Sequence, residues 1–145
     1  MKALLQRVTQ ARVTVAGETV GEIQQGLLVL LGVERDDDTA KADKLVNKLI
    51  AYRVFSDEAG KMNCSLKDIN GELLLVSQFT LAAETNKGLR PGFSTAAGPD
   101  LAQELYQYMI AALKAKSIKI QTGQFAANMQ VSLTNDGPVT FLLEA

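Results

Sequence analysis

Gly26-Leu27-Leu28-Val29-Leu30-Leu31-Gly32-Val33 is a continuous apolar run punctuated by glycine, with no polar residue to mark an outward face. So short a run reads as a central strand buried on both faces. Glu72-Leu73-Leu74-Leu75-Val76-Ser77-Gln78-Phe79-Thr80-Leu81 reads as a second buried strand, apolar on both faces in its first half. Its second half brings Ser77, Gln78 and Thr80 in between Val76, Phe79 and Leu81. Polar side chains at the end of a core strand are either satisfied internally or look into a pocket.

Outward from these two strands, Ala3 to Val15 reads as a strand or a bent pair of strands. Leu5, Val8, Val13 and Val15 are apolar, and the phase slips near Thr9-Gln10-Ala11, which predicts a bulge. Ala16-Gly17-Glu18 is a tight turn, and Thr19 to Gln24 returns as a further strand. Asp36-Asp37-Asp38-Thr39 opens a helix, followed by Ala42, Leu45, Val46, Leu49 and Ile50 at helical spacing. Capping and a solvated face account for three adjacent aspartates better than a metal site does. Tyr52-Arg53-Val54-Phe55 leaves as a strand, Ser56 to Lys61 is a hairpin loop, and Asn70-Gly71 is a turn.

Ala82 to Gly98 is a polar loop long enough to suspect a function, with local positive charge at Lys87 and Arg90. Pro99 suits the first turn of a second helix, running to about Lys116, with Leu101, Leu105, Met109, Ile110 and Leu113 inward. Tyr106 and Tyr108 read as core edge or partner contact. Lys114, Lys116 and Lys119 suit the negative end of the helix dipole. Ile118 to Phe125 and Met129 to Leu133 are the last strands before a turn near the C-terminal end. The order predicts an α/β fold in one domain over residues 1–145. Mixed β-sheets form a barrel-like or layered core, with helices packed on one face.

Composition excludes more chemistry than it suggests. The 145 residues contain no histidine and a single cysteine, Cys64. That removes Ser-His-Asp and Cys-His arrangements, most catalytic zinc sites and any internal disulfide. Neither GxGxxG nor GxxxxGK[ST] occurs, so no glycine-rich phosphate loop is present. A net charge of −1 argues against coating nucleic acid by bulk charge, but not against a small basic patch around one end of an RNA. No apolar run approaches the roughly 18 residues that cross a bilayer, and no signal peptide is read at the start. A cytoplasmic location is expected.

Asn135-Asp136-Gly137-Pro138-Val139-Thr140 combines residues that bond their own backbone two positions on, one that accepts positive φ and one that removes a donor. Apolar alternation runs up to it (Met129, Val131, Leu133) and resumes after it (Val139, Phe141, Leu143). Two readings stand: an ordinary hairpin turn between two strands, or a corner whose main chain at Gly137-Pro138 is presented to a ligand.

Ser77-Gln78-Phe79-Thr80 and Asn135-Asp136-Gly137-Pro138-Val139-Thr140 resemble the two signature motifs of the D-aminoacyl-tRNA deacylase family. Gln6-Arg7-Val8, the run from Gly26 to Val33, Arg53 to Asp57, Gly60 to Asn63, Arg90-Pro91 and Gln121 to Val131 are similar to it in order, so the resemblance covers essentially the whole chain. One departure is Gly92, where a serine is expected before Phe93. The resemblance implies a homodimer that hydrolyses the ester between a D-amino acid and the 3′-terminal adenosine of tRNA, a proofreading step. It implies a cis Gly137-Pro138 bond, with the corner of one subunit reaching into the pocket of the other. The active site is then at the dimer interface. The partner is a tRNA 3′ end carrying a D-amino acid or glycine, and no membrane, cofactor or metal is expected.

On that footing, main-chain N–H groups around Phe79 and Thr80 would hold the substrate carbonyl oxygen, with Ser77 and Gln78 in the same catalytic segment. The Thr80 hydroxyl would position water or substrate. A covalent Thr80 ester is disfavoured because no side-chain base is available to activate it. Gly137 and Pro138 would form a chiral gate braced by Arg7, and Phe125, Ala127 and Met129 would line the adenosine pocket. The rivals are a non-catalytic binder of RNA ends, an oligomer in which the corner merely locks a dimer and, last, a metal hydrolase.

Overall fold

The computed structural model describes every residue from Met1 to Ala145. In chain order the elements are β1 (Lys2–Val15), β2 (Glu18–Ile23), β3 (Gly26–Gly32), α1 (Thr39–Ala51), β4 (Phe55–Ser56) and β5 (Met62–Cys64). They continue with β6 (Glu72–Ser77), a 3-10 turn (Phe79–Ala82), α2 (Pro99–Ala115), β7 (Lys119–Thr122) and β8 (Gln130–Glu144).

The apolar run is the central strand, as expected. β3 has β1 antiparallel on one side and β6 parallel on the other, with β7 parallel beyond it. Successive side chains of β3 point to opposite faces, and each face has its own cover. Leu27, Val29 and Leu31 pack with Leu73, Leu75 and the inner sides of both helices. Leu28 points the other way, toward Leu74, Val76, Val8, Val13 and Ile23. The sheet curls around this second cluster. Gly21 of β2 lies so close to β7 that a Cβ there would run into the Thr122 carbonyl, which makes the sheet barrel-like with the helices on its outer face. Each fully buried leucine contributes roughly 1.5–3 kcal/mol, so the two clusters account for the order of the sheet.

The acidic start of α1 divides its labour. Asp38 caps the helix, its Oδ1 accepting the Lys41 N–H at 2.9 Å. Asp37 is buried, unlike the solvated residue expected, because its carboxylate meets the Met1 ammonium at 2.8 Å and accepts the Glu34 N–H at 2.7 Å. Glu34 Oε2 approaches the same ammonium at 2.6 Å. Met1 and Ala145 also exchange two backbone hydrogen bonds, at 3.0 and 3.1 Å.

The two tyrosines of α2 part company: Tyr106 is a core residue, whereas Tyr108 is half-buried at the junction of the helices. Tyr106 is buried and donates its hydroxyl to the Leu75 carbonyl at 2.8 Å, and Tyr108 donates to Asp43 on α1 at 2.9 Å. Several strands are shorter than the alternation suggested. β6 stops at Ser77 and β7 at Thr122, and only Phe55–Ser56 of the segment after α1 pairs. No helix is long and apolar enough to cross a membrane.

Candidate active site

At Ser77 the chain leaves the sheet. The Gln78 N–H still donates to the β3 carbonyl of Leu31 at 2.8 Å, but Leu81 N–H turns back to Gln78 O and Ala83 N–H to Thr80 O. No side chain caps the resulting 3-10 turn. Such a turn leaves its leading N–H groups, here those of Phe79 and Thr80, without intrahelical acceptors. Gln78 Nε2 donates to Thr80 Oγ1 at 3.1 Å, which leaves the Thr80 proton for another acceptor. The Phe79 ring is 57% exposed and rests against Phe93, centroids 5.0 Å apart.

This turn walls a cavity of about 930 Å³. Ser77, Gln78, Phe79 and Thr80 stand on one side of it; Phe125, Ala127 and Met129 reach it from the segment between β7 and β8. Seven of the predicted site residues are thus brought together. Phe125 is seated on the buried Tyr106 ring, centroids 5.9 Å apart. Met129 is held over Gly123, where a Cβ would come within 2.7 Å of its sulfur. The third side is the start of α2, with Ala97, Gly98, Pro99 and Ala102. A volume of this size is that of a small-molecule site, typically ~300–1,000 Å³.

Gly137, Pro138 and Arg7 are not among the residues that line this cavity. They form a separate feature, and it is not a hairpin. β8 runs past the corner on the same partner strand, and the register jumps from Val8↔Asn135 to Gln6↔Thr140. The corner is a long bulge pushed out of the ladder. Asn135 staples its base four residues on rather than two: Oδ1 accepts the Val139 N–H at 2.7 Å and Nδ2 donates to Val139 O and Thr140 Oγ1. Arg7 donates through Nε to Asp136 O and through Nη1 to Val54 O, both at 2.8 Å. The Gly137-Pro138 bond is cis and both residues are exposed. Gly137 has φ +147°, and a Cβ there would lie 2.7 Å from Val139 Cγ2 and 3.2 Å from Arg7 Nη2. A projection of bare main chain results.

A family model described as D-Tyr-tRNA(Tyr) deacylase matches residues 4–144. The chain belongs to that family. A D-aminoacyl-tRNA deacylase of Stutzerimonas stutzeri (strain A1501) is 64% identical over 145 residues, covering 100% of both chains. One of Haemophilus influenzae (strain 86-028NP) is 63% identical over 143 residues, 99% of each. Among solved structures, the c-Myc DNA Unwinding Element Binding Protein superposes with a TM-score of 0.95 at 42% identity, over 100% of this chain and 99% of that one. A probable eukaryotic D-amino acid tRNA deacylase superposes with a TM-score of 0.88 over 99% and 98% of the two chains; at 16% identity it speaks for the fold alone.

Both motifs of this D-Tyr-tRNA(Tyr) deacylase family member fall within the matched span. Its departure at Gly92 is sterically mild: the residue exchanges two backbone hydrogen bonds with Glu84, and a Cβ would sit 3.8 Å from its nearest neighbours. A serine fits there. Phe93 and the Ala97–Ala102 wall escaped the sequence reading. An aromatic residue in a long polar loop was the available signal for Phe93, whereas small residues around a helix start carry none.

Proposed function

We propose that this chain, as one domain over residues 1–145, hydrolyses the ester of D-aminoacyl-tRNA, releasing free D-amino acid and tRNA, and so proofreads translation in the cytoplasm. Family membership supports the reaction class. The observation that carries the reading to the site is a nucleoside-sized cavity walled by a 3-10 turn with no capping side chain.

An aminoacyl ester is already activated, so modest machinery suffices and the lack of histidine is no obstacle. Water adds to the substrate carbonyl, negative charge grows on its oxygen, and the N–H groups of Phe79 and Thr80 stabilise that charge. One such donor is typically worth ~10²–10³ in rate. The tetrahedral species collapses by expelling the ribose 3′-oxygen, which takes up a proton. The Thr80 hydroxyl, oriented by Gln78, holds water or substrate, and the ribose 2′-OH of the tRNA assists the water. Phe125, Ala127 and Met129 seat the adenosine.

Chirality is set by exclusion. Exchanging D for L swaps hydrogen and side chain on the substrate Cα. A main-chain wall at Gly137-Pro138, stiffened by Arg7 and Asn135, admits hydrogen and clashes with any side chain. The corner lies outside the cavity lining of its own chain, which supports a homodimer in which it closes the partner's pocket. Such a wall accepts many D-side chains and also glycine.

Deacylation of D-tyrosyl-, L-tyrosyl- and glycyl-tRNA tests this directly. The D-ester and the glycyl ester are cleaved and the L-ester is spared; Thr80→Ala reports whether the hydroxyl or only the backbone matters. A folded dimer that spares all three would instead be a reader of RNA ends. Inertness toward glycyl-tRNA alone would remove the wall.

A further inference from the structure

The segment between the 3-10 turn and α2 has both feet on the cavity rim. It leaves directly after Ala82, whose carbonyl accepts the Thr95 hydroxyl at 2.9 Å, and returns at Phe93, which rests on Phe79. Glu84 and Gly92 close it with a pair of backbone hydrogen bonds at 2.7 and 2.9 Å, and Arg35 N–H holds Thr95 O at 3.0 Å. Beyond that clamp Thr85–Pro91 stands out as an exposed arm, with Leu89 at its tip 103% exposed. Lys87 and Arg90 form no ion pair, the arm itself carries no carboxylate, and Glu84 of the clamp accepts the Asn86 N–H at 2.7 Å.

The cavity has room for the terminal adenosine and its amino acid, and the rest of the RNA must leave across the rim. That strand carries one negative charge per nucleotide, against a protein of net charge −1. Its binding needs cations placed locally, since phosphate contacts supply most of the affinity and fix the register. We propose that Thr85–Pro91 is a phosphate arm: Lys87 and Arg90 grip the sugar–phosphate backbone of the acceptor strand just outside the cavity, while Leu89 lies along a ribose or base face. The assignment rests on the deacylase reading and extends it. It also makes binding indifferent to which amino acid the tRNA carries.

The test is a titration of fluorescein-labelled uncharged tRNA with wild type and Lys87→Gln/Arg90→Gln. Each cation lost from a single-strand phosphate flattens the salt slope by about 0.7, so the variant slope falls by about 1.4. Between about 50 and 200 mM salt, wild type then loses about sevenfold more affinity than the variant. Lys114→Gln/Lys116→Gln makes the same charge change at the far end of α2, roughly 20 Å along the helix from the cavity wall at Pro99, and keeps the wild-type slope. Lys87→Arg/Arg90→Lys keeps it too. A wild-type slope in Lys87→Gln/Arg90→Gln overturns the arm, as does equal flattening in the α2 control. Wild type is assayed on D-tyrosyl-tRNA in parallel. An ester cleaved with the slope unmoved sinks the arm alone, whereas an ester spared with the slope flattened sinks the deacylase reading and leaves the arm standing.

Discussion

Gly137 shows how much one missing side chain carries. Its φ of +147° is one that L-residues with a Cβ rarely adopt, and the space beside it is filled by Val139 and Arg7. Gly137→Ala is expected to cost about 1–3 kcal/mol of stability and to lower kcat/KM on D-tyrosyl-tRNA at least about tenfold, because the wall itself must move. Urea unfolding and single-turnover assays check the two halves separately. Full activity in the alanine variant would show that the corner is not the gate. At this scale the polar residues were the legible ones: Ser77, Gln78 and Thr80 interrupt an apolar strand, and a pocket explains why. Ala97 and Ala102 carry no chemical signature, and only the fold gives them a role.

Between elements, Tyr106 ties α2 to the end of β6, just before the 3-10 turn that walls the cavity. Its hydroxyl bonds Leu75 O, its ring backs Phe125, and burial pushes its pKa up to about 12 from 10.0. A pKa raised by folding adds stability that is complete below pH 10 and lost as pH climbs through 12. The loss is of order 2 kcal/mol. Tyr106→Phe should cost about 1 kcal/mol at neutral pH and lack that part of the alkaline decline. Urea midpoints from pH 8 to 12 read both effects, and an unaltered decline in the phenylalanine variant would assign it to other groups. Element types followed well from periodicity, since burial on both faces of β3 needs no distant information. The corner did not. Asn-Asp-Gly-Pro is turn chemistry wherever it occurs, and whether the chain then reverses or carries on along β1 depends on a register set more than a hundred residues away.

Across the whole molecule, the corner stands outside the lining of its own chain's cavity. β8 is exposed over most of its length, including Leu133 and Leu142, and offers an unpaired edge beside the corner. If the corner acts in trans, two impaired variants should rescue each other. Gly137→Ala retains a sound pocket, and Ala127→Trp, which fills the cavity, retains a sound corner. Exchanged mixtures should recover about a quarter of the wild-type sites, because half the dimers are mixed and each mixed dimer holds one intact pair. Activity no higher than that of the separate variants would place the corner in service of its own chain. This part was not legible in the sequence, because which chain's cavity a corner serves is a property of assembly and not of local pattern.

The paired ends have a topological consequence. Residues 1 and 145 sit side by side as antiparallel neighbours, so in space the polypeptide is a ring with a nick, and a hairpin-length linker of 2–5 residues spans the gap. The nick can be moved to the tip of the exposed arm, giving a circular permutant that keeps every strand in its place. What such a ring surrenders is a cation: one amide N–H replaces the ammonium that serves Glu34, Asp37 and the Ala145 carbonyl, and the buried Asp37 carboxylate keeps the Glu34 N–H at 2.7 Å and Lys41 Nζ at 3.4 Å.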